Sequence, residues 1–237
     1  FNIGNSRAID YTNNFSFLKK NNSILWASEK DGWRHLYQVS LEGKPEVLIT
    51  KGEYDVIDLK HIDSKKGYVY YLASPNNATQ KYLYKTKLNG KGKTELLSPE
   101  SLKGSHDYSF SSNGSYAEHT FSNHYTPRTK EFVSVANHKA LTKEESIVAN
   151  LKKIEKKPTT EFFTITTENN IKMDGWMVKP TNFDPNKKYP VVFYVYSEPA
   201  GTTVKDIYNV SRNRNYNGNM AEDGYLYIYI DMSIIHF

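Results

Sequence analysis

Ser105-His106-Asp107 sets side by side the three residue types of a serine-hydrolase relay. Neighbours in a chain cannot arrange themselves into a Ser–His–Asp relay, in which each group hydrogen-bonds the next. The triplet is therefore expected to be turn chemistry at a junction between structural units. A nucleophile elbow needs Gly-x-Ser-x-Gly, because its strained turn admits only small neighbours. No two of the 13 glycines stand four apart around a serine. The absence of cysteine removes a thiol nucleophile, a disulfide frame and a cysteine zinc site. Glu144-Glu145 has the charge to hold an amine, yet it falls where a first helical turn is expected, and acids are stabilising there. His35 fits a hydrogen-bonded strand histidine, and His236 has no matched partner.

The elements that must position such residues are expected to be mostly strands. Aromatic residues are 14% of the 237, with 19 tyrosines. Tyr, Phe and Val favour pleated, half-buried surfaces. Lys and Arg number 31 against 26 Asp and Glu, a net charge of +5. The lysines come as scattered pairs, at Lys19-Lys20, Lys65-Lys66, Lys152-Lys153, Lys156-Lys157 and Lys187-Lys188. A solvated surface is the expectation, with no nucleic-acid partner. No run approaches the roughly 18 apolar residues of a membrane span. No signal-peptide pattern opens the chain at Phe1.

The first half repeats. Ile24-Leu25-Trp26-Ala27-Ser28 recurs as Tyr70-Tyr71-Leu72-Ala73-Ser74, and more weakly as Glu118-His119-Thr120-Phe121-Ser122. The serines stand 46 and 48 residues apart. A strand is predicted before each segment (near 15–18, 56–59 and 108–111) and two more after it. The second strands hold His35-Leu36-Tyr37, Tyr82-Leu83-Tyr84 and Glu131-Phe132-Val133; the third hold Val47-Leu48-Ile49-Thr50, Leu96-Leu97-Ser98 and Ala140-Leu141-Thr142. Asp31-Gly32, Asn89-Gly90 and Asn113-Gly114 supply turns that need positive φ. Four short strands in about 45 residues is the pattern of a β-propeller blade. Three blades cannot close a ring, and an open arc leaves edge strands unpaired. Residues 1–142 are thus expected to be part of a larger propeller.

The pattern then changes. Thr142-Lys143-Glu144-Glu145 predicts a capping box. Ile147, Val148, Leu151 and Ile154 follow at helical spacing, and Pro158 ends the helix. Residues 143–158 are expected to be a linker helix. A hairpin is predicted from 162–167 and 172–178. The continuous apolar run Val191–Tyr196 predicts a strand buried on both faces. A crossover, helical or irregular, should cover 204–223, and a second buried strand 225–230. Strand, crossover, strand opens a doubly wound domain, assigned to residues 159–237. The fold class expected is mainly β, then α/β.

Particular residues carry a family resemblance. Ser28-Glu29-Lys30-Asp31-Gly32-Trp33-Arg34-His35-Leu36-Tyr37 resembles a signature stretch in the propeller of dipeptidyl peptidase IV-like enzymes. Lys187-Lys188-Tyr189-Pro190, running into Tyr194-Val195-Tyr196-Ser197-Glu198-Pro199, resembles the start of the α/β-hydrolase domain of the prolyl oligopeptidase superfamily. Ala221-Glu222-Asp223-Gly224-Tyr225, leading to Asp231, is similar to the next strand. The resemblance implies about three last blades of an eight-bladed propeller and the beginning of a serine peptidase domain. It implies release of N-terminal dipeptides with Pro or Ala second, on peptide substrates, with no metal and no organic cofactor. It also implies a periplasmic or secreted parent that forms homodimers.

By the same resemblance, Tyr196 matches the tyrosine that ends the family's Val-Tyr strand, an oxyanion-hole donor. A phenol held there can donate to charge developing on a scissile carbonyl. Many members continue Gly-Gly-Pro; Ser197-Glu198-Pro199 keeps the tyrosine and changes the loop. The resemblance puts the catalytic Ser, Asp and His downstream of residue 237 and the amine-binding glutamates upstream of residue 1. This chain alone is expected to be inactive, because losing Ser or His of a triad costs about 10⁶ in kcat. One oxyanion donor is worth about 10²–10³. The tail 232–237 departs from the family's Arg-Gly turn, as a frameshift, a premature stop or a gene-assembly error would produce. Two other readings stand beside this one: a non-catalytic propeller interaction module, and another superfamily branch, an acylaminoacyl peptidase or an oligopeptidase. Trp33-Arg34-His35 favours the dipeptidyl branch.

Overall fold

In a computed structural model, the described residues are 15–19, 22–143, 146–151, 160–196, 202–213 and 216–231. The chain divides into two compact units. One comprises residues 1–121 and 129–153, the other 122–128 and 154–237.

Three four-stranded sheets arise from consecutive stretches of sequence. The first contains β1 (Phe15–Leu18), β2 (Ser23–Ser28), β3 (His35–Ser40) and β4 (Val47–Leu48). The second contains β5 (Val56–Asp63), β6 (Tyr68–Ala73), β7 (Tyr82–Lys87) and β8 (Glu95–Leu96). The third contains β9 (Ser105–Phe110), β10 (Tyr116–Asn123), β11 (Thr126–Ser134) and β12 (Lys139–Ala140). In each, neighbours in sequence are neighbours in the sheet. That meander is the blade pattern the repeat predicts.

Period-2 alternation explains why the middle sheet is stable between two others. Along β6, Val69, Tyr71 and Ala73 join a buried cluster with Leu18, Leu25 and Leu36 of the first sheet. The intervening Tyr70 and Leu72 join a second cluster with Leu83, Tyr108 and Val133. One strand therefore feeds two cores, and each fully buried aliphatic side chain contributes roughly 1.5–3 kcal/mol.

The turns between the third and fourth strands each contain a left-handed residue: Gly43 with φ of 75°, Gly90 with 65° and His138 with 50°. The loops differ in length, and backbone bonds align Leu41, Leu88 and Val135, which puts Asn137 at the position of Gly43 and Gly90 and His138 one residue later.

The structure corrects several expectations. Ser105-His106-Asp107 is not in a turn; it opens strand β9. The helix α1 covers Ile147–Leu151, and Thr142 lies in a bend. Its cap is Ser146, whose carbonyl accepts from Asn150 N at 3.0 Å and whose Oγ accepts from Ala149 N at 3.4 Å. Tertiary contacts set this start: Ile147 is buried with Leu102 and Phe121, and its N–H bonds Glu131 at 3.0 Å. Glu144-Glu145 and the predicted helix end, 152–159, lie outside the described residues.

The second unit holds a mixed sheet. Its strands are β13 (Thr160–Thr166), β14 (Lys172–Val178), β15 (Val191–Tyr196) and β16 (Leu226–Asp231), in the order β13-β14-β16-β15. β14 is antiparallel to both its neighbours, and β15 runs parallel to β16. Trp176, Val178, Val204 and Tyr227 form its buried cluster. Trp176 stacks on Tyr229 at 4.2 Å, and Tyr229 on Tyr194 at 4.4 Å. The 202–213 and 216–225 stretches contain no helix, so the described crossover is irregular.

The apolar run of β15 is not buried on both faces. Phe193 is 61% exposed, and Val191 and Val195 are exposed too. β15 is last in the strand order; Val192 on one face packs against the buried cluster, while Val191, Phe193 and Val195 on the other are left uncovered by the described residues. An apolar run reports a capacity for burial, which needs a second layer to be realised.

Gly175 shows how tightly the second sheet closes. A Cβ there would meet Phe163 Cζ at 2.4 Å and the Tyr229 carbonyl oxygen at 2.8 Å. Gly175→Ala is expected to cost about 1–3 kcal/mol, the usual penalty of overpacking. Urea unfolding monitored by Trp176 fluorescence would read it.

Candidate functional site

Tyr196 is the last residue of β15, and its backbone lies directly opposite Asp231 at the end of β16. Both strands of this parallel pair therefore end together. In α/β sheets, ligands bind outside the carboxyl ends of parallel strands. Asp231 holds the chain that returns from this edge. Its Oδ1 accepts from Thr203 N at 2.7 Å and from Thr203 Oγ1 at 2.5 Å, and its Oδ2 accepts from Val204 N at 3.0 Å. A little further on, the buried Asp206 accepts from both the backbone N–H and Nδ1 of His124, each at 2.8 Å. Ser197, Glu198 and Pro199, and the tail with His236, lie outside the described residues.

The Ser-His-Asp triplet is spread over two faces of its strand, as period-2 alternation requires. Asp107 pairs with Lys60 at 2.9 Å. His106 turns inward, and both its ring nitrogens are engaged elsewhere: Nε2 with the Leu102 carbonyl and Nδ1 with His119, each at 2.9 Å. His35 is the strand histidine expected, with Nδ1 at 3.1 Å from Thr50 Oγ1 and Nε2 at 3.0 Å from the Gly52 carbonyl.

Within the first unit lies a second polar centre that the sequence analysis does not anticipate. His106, His119, Glu131 and His138 converge there beside Tyr108. His106, His119 and Glu131 are buried. Burial pulls the pKa of His106 and His119 down to about 3 and that of His138 to about 4. All three rings are therefore neutral at pH 7.

The hydrogen bonds then fix the tautomers. The Leu102 carbonyl can only accept, so His106 Nε2 carries the hydrogen and Nδ1 is a lone pair. His119 Nε2 must donate to it, which leaves His119 Nδ1 as a second lone pair. That lone pair faces Glu131 Oε1 at 2.8 Å. Two acceptors stay at that distance only with a cation between them. That cation is a proton shared between His119 Nδ1 and Glu131 Oε1; burial raises the Glu131 pKa against the opposing bond from Ile147 N–H. Glu131 Oε2 accepts from Ile147 N–H. On the far side, Tyr108 Oη lies 2.7 Å from His138 Nε2 and 2.9 Å from Ser98 Oγ.

This assignment makes a stability prediction. Glu131→Gln should change stability by less than about 1 kcal/mol, because an amide can donate to His119 and accept from Ile147. Glu131→Ala strands both partners and should cost about 2–4 kcal/mol. Urea midpoints of metal-free protein compare them. Equal losses would mean that Glu131 is charged.

His119, Glu131 and His138 also have ligand-type atoms that all lie within 4.8 Å of one another. No spacing in the sequence marks the centre, because its members come from three strands and a turn. His138 is one of four described non-glycine residues with positive φ, at 50°.

Comparison with known proteins bears on both units. A family model described as the dipeptidyl peptidase IV (DPP IV) N-terminal region matches residues 6–128. Dipeptidyl peptidase 4 of Trichophyton rubrum is 27% identical over 192 residues, which is 80% of this chain and 24% of that protein. A probable dipeptidyl-aminopeptidase B of Pyrenophora teres f. teres is 29% identical over 208 residues, 85% of this chain and 22% of that protein. The crystal structure of Porphyromonas gingivalis dipeptidyl peptidase 4 superposes with a TM-score of 0.72 at 28% identity, covering 92% of this chain and 30% of that one. The chain thus spans about a quarter of the length of the curated relatives it matches. With more than half its residues matched by the family model, and three sheets in the blade pattern, the chain belongs to the dipeptidyl peptidase IV N-terminal region family.

Proposed function

We propose that this chain is the segment of a serine exopeptidase in which the last propeller blades lead into an α/β-hydrolase domain. In this reading, residues 1–142 are blades, 143–158 a linker and 159–237 the start of the hydrolase. The enzyme releases N-terminal dipeptides with Pro or Ala second, by acyl transfer through a serine ester. The observation that carries the reading is the parallel pair β15 and β16, with Tyr196 at its carboxyl end opposite Asp231. In this reading the Tyr196 hydroxyl donates to the charge that develops on a scissile carbonyl. The apolar, uncovered β15 fits a sheet that the longer enzyme completes with further layers. Periplasmic or secreted location and a homodimeric parent belong to the same proposal. No helix among the described residues is long and apolar enough to cross a membrane.

These 237 residues contain no Gly-x-Ser-x-Gly. The chain by itself is proposed to be inactive, with Ser, Asp and His supplied by the longer polypeptide. A fluorophosphonate probe, which labels activated serines, tests this. The longer product of the same gene should label with one equivalent, and the 237-residue chain should not. An unlabelled longer product would favour a non-catalytic propeller module.

A further inference from the structure

We propose that His119, Glu131 and His138, whose ligand-type atoms all lie within 4.8 Å of one another, form a binding site for a zinc-type divalent cation. The inference is independent of the peptidase reading and rests on three observations.

The first is the arrangement of lone pairs. The Leu102 carbonyl fixes His106, and His106 fixes His119, so that His119 Nδ1 presents a lone pair to a carboxylate oxygen at 2.8 Å. That site takes a cation, and its occupant is either a proton or a metal. The second is the support behind the ligand. A metal-bound imidazole characteristically gives its other N–H to an acceptor that fixes tautomer and ring orientation. His119 does this through His106, and His106 in turn through the Leu102 carbonyl. Glu131 is likewise held by Ile147 N–H through its other oxygen.

The third is His138. Its backbone is left-handed, with φ 50°, although it is not a glycine. Its ring meets His119 edge-to-face at 4.7 Å. Strained backbone gathers at ligand clamps.

Two imidazoles and a carboxylate, with no thiolate, are a zinc-type donor set. Calcium and magnesium prefer all-oxygen shells. Tetrahedral zinc would place its ligand atoms about 3.3 Å apart. The present separations, from 2.8 Å up to at most 4.8 Å, bracket that value, so side-chain shifts of the order of 1 Å suffice. The bound ion would tie the β11–β12 turn to strands β10 and β11.

The test uses the tag-free full chain stripped with EDTA. Zinc chloride is titrated by calorimetry, and cobalt(II) by its visible d–d bands. One equivalent is expected to bind, with the band intensity of a four- or five-coordinate site. His138→Gly should fold, because glycine adopts the left-handed backbone of this position freely; far-ultraviolet circular dichroism checks this. It should weaken zinc binding by more than the roughly 10–100-fold that loss of an outer partner costs. Glu131→Gln, which keeps both hydrogen bonds, should weaken it as well. Absence of saturable binding, or binding that His138→Gly leaves unchanged, overturns the proposal.

Discussion

Tyr196→Phe in the longer enzyme is expected to lower kcat by about 10²–10³-fold while changing KM little. The substitution removes one hydroxyl and keeps the ring that ends β15. An oxyanion donor acts on charge that exists in the transition state and hardly at all in the bound substrate. Its loss therefore falls on kcat, in contrast with a substrate-gripping residue, whose loss falls on KM. The backbone supports the placement, since Tyr196 lies opposite Asp231 and Asp231 clamps Thr203 and Val204 beside it. Initial rates on a dipeptidyl chromogenic amide check the split. A kcat within threefold of the parent would remove Tyr196 from the reaction.

The second large effect is on stability in acid. His106, His119 and His138 titrate near 3, 3 and 4 in the folded protein, chiefly because burial disfavours the cation. Unfolded, each takes a proton near pH 6.5. Their folded pKa values are depressed, so the stability they contribute is complete above pH 6.5 and is lost as pH falls toward 4. With all three refusing a proton, the slope reaches at most about 4 kcal/mol per pH unit. The charged groups acting on the cluster are Lys81, which opposes protonation of His106, and Asp107, which favours it at His119. Glu131 works in the opposite sense: its raised pKa means that stability declines as pH climbs through its folded value. Urea midpoints of EDTA-treated protein at pH 7, 6 and 5 should fall steeply. His138→Gly should make the fall shallower, by about 1.4 kcal/mol per pH unit. Equal midpoints at pH 7 and pH 5 would contradict the neutral cluster.

How much of this was legible depended on whether the signal was local. The blades were, because alternation and glycine turns are written every few residues: β1 and β15 begin and end where the spacing predicts, and β14 does too. The cap of α1 was not. Ser146 displaces Thr142 because Glu131 and the Leu102–Phe121 cluster fix Ile147 from a distance. Burial of β15 was overestimated, since the sequence of a strand says nothing about which layer covers it. The polar centre was the largest omission. Its members come from β9, β10, β11 and a turn, and no spacing rule joins them.

The most direct test of the peptidase reading is a substrate panel on the longer enzyme: Gly-Pro, Ala-Ala and Ala-Pro amides, each with a free and with an acetylated amino terminus. Cleavage confined to free-amine substrates, with the dipeptide as product, is the result expected. Cleavage of the acetylated forms would assign the chain to an acylaminoacyl peptidase or oligopeptidase branch and contradict the proposed function.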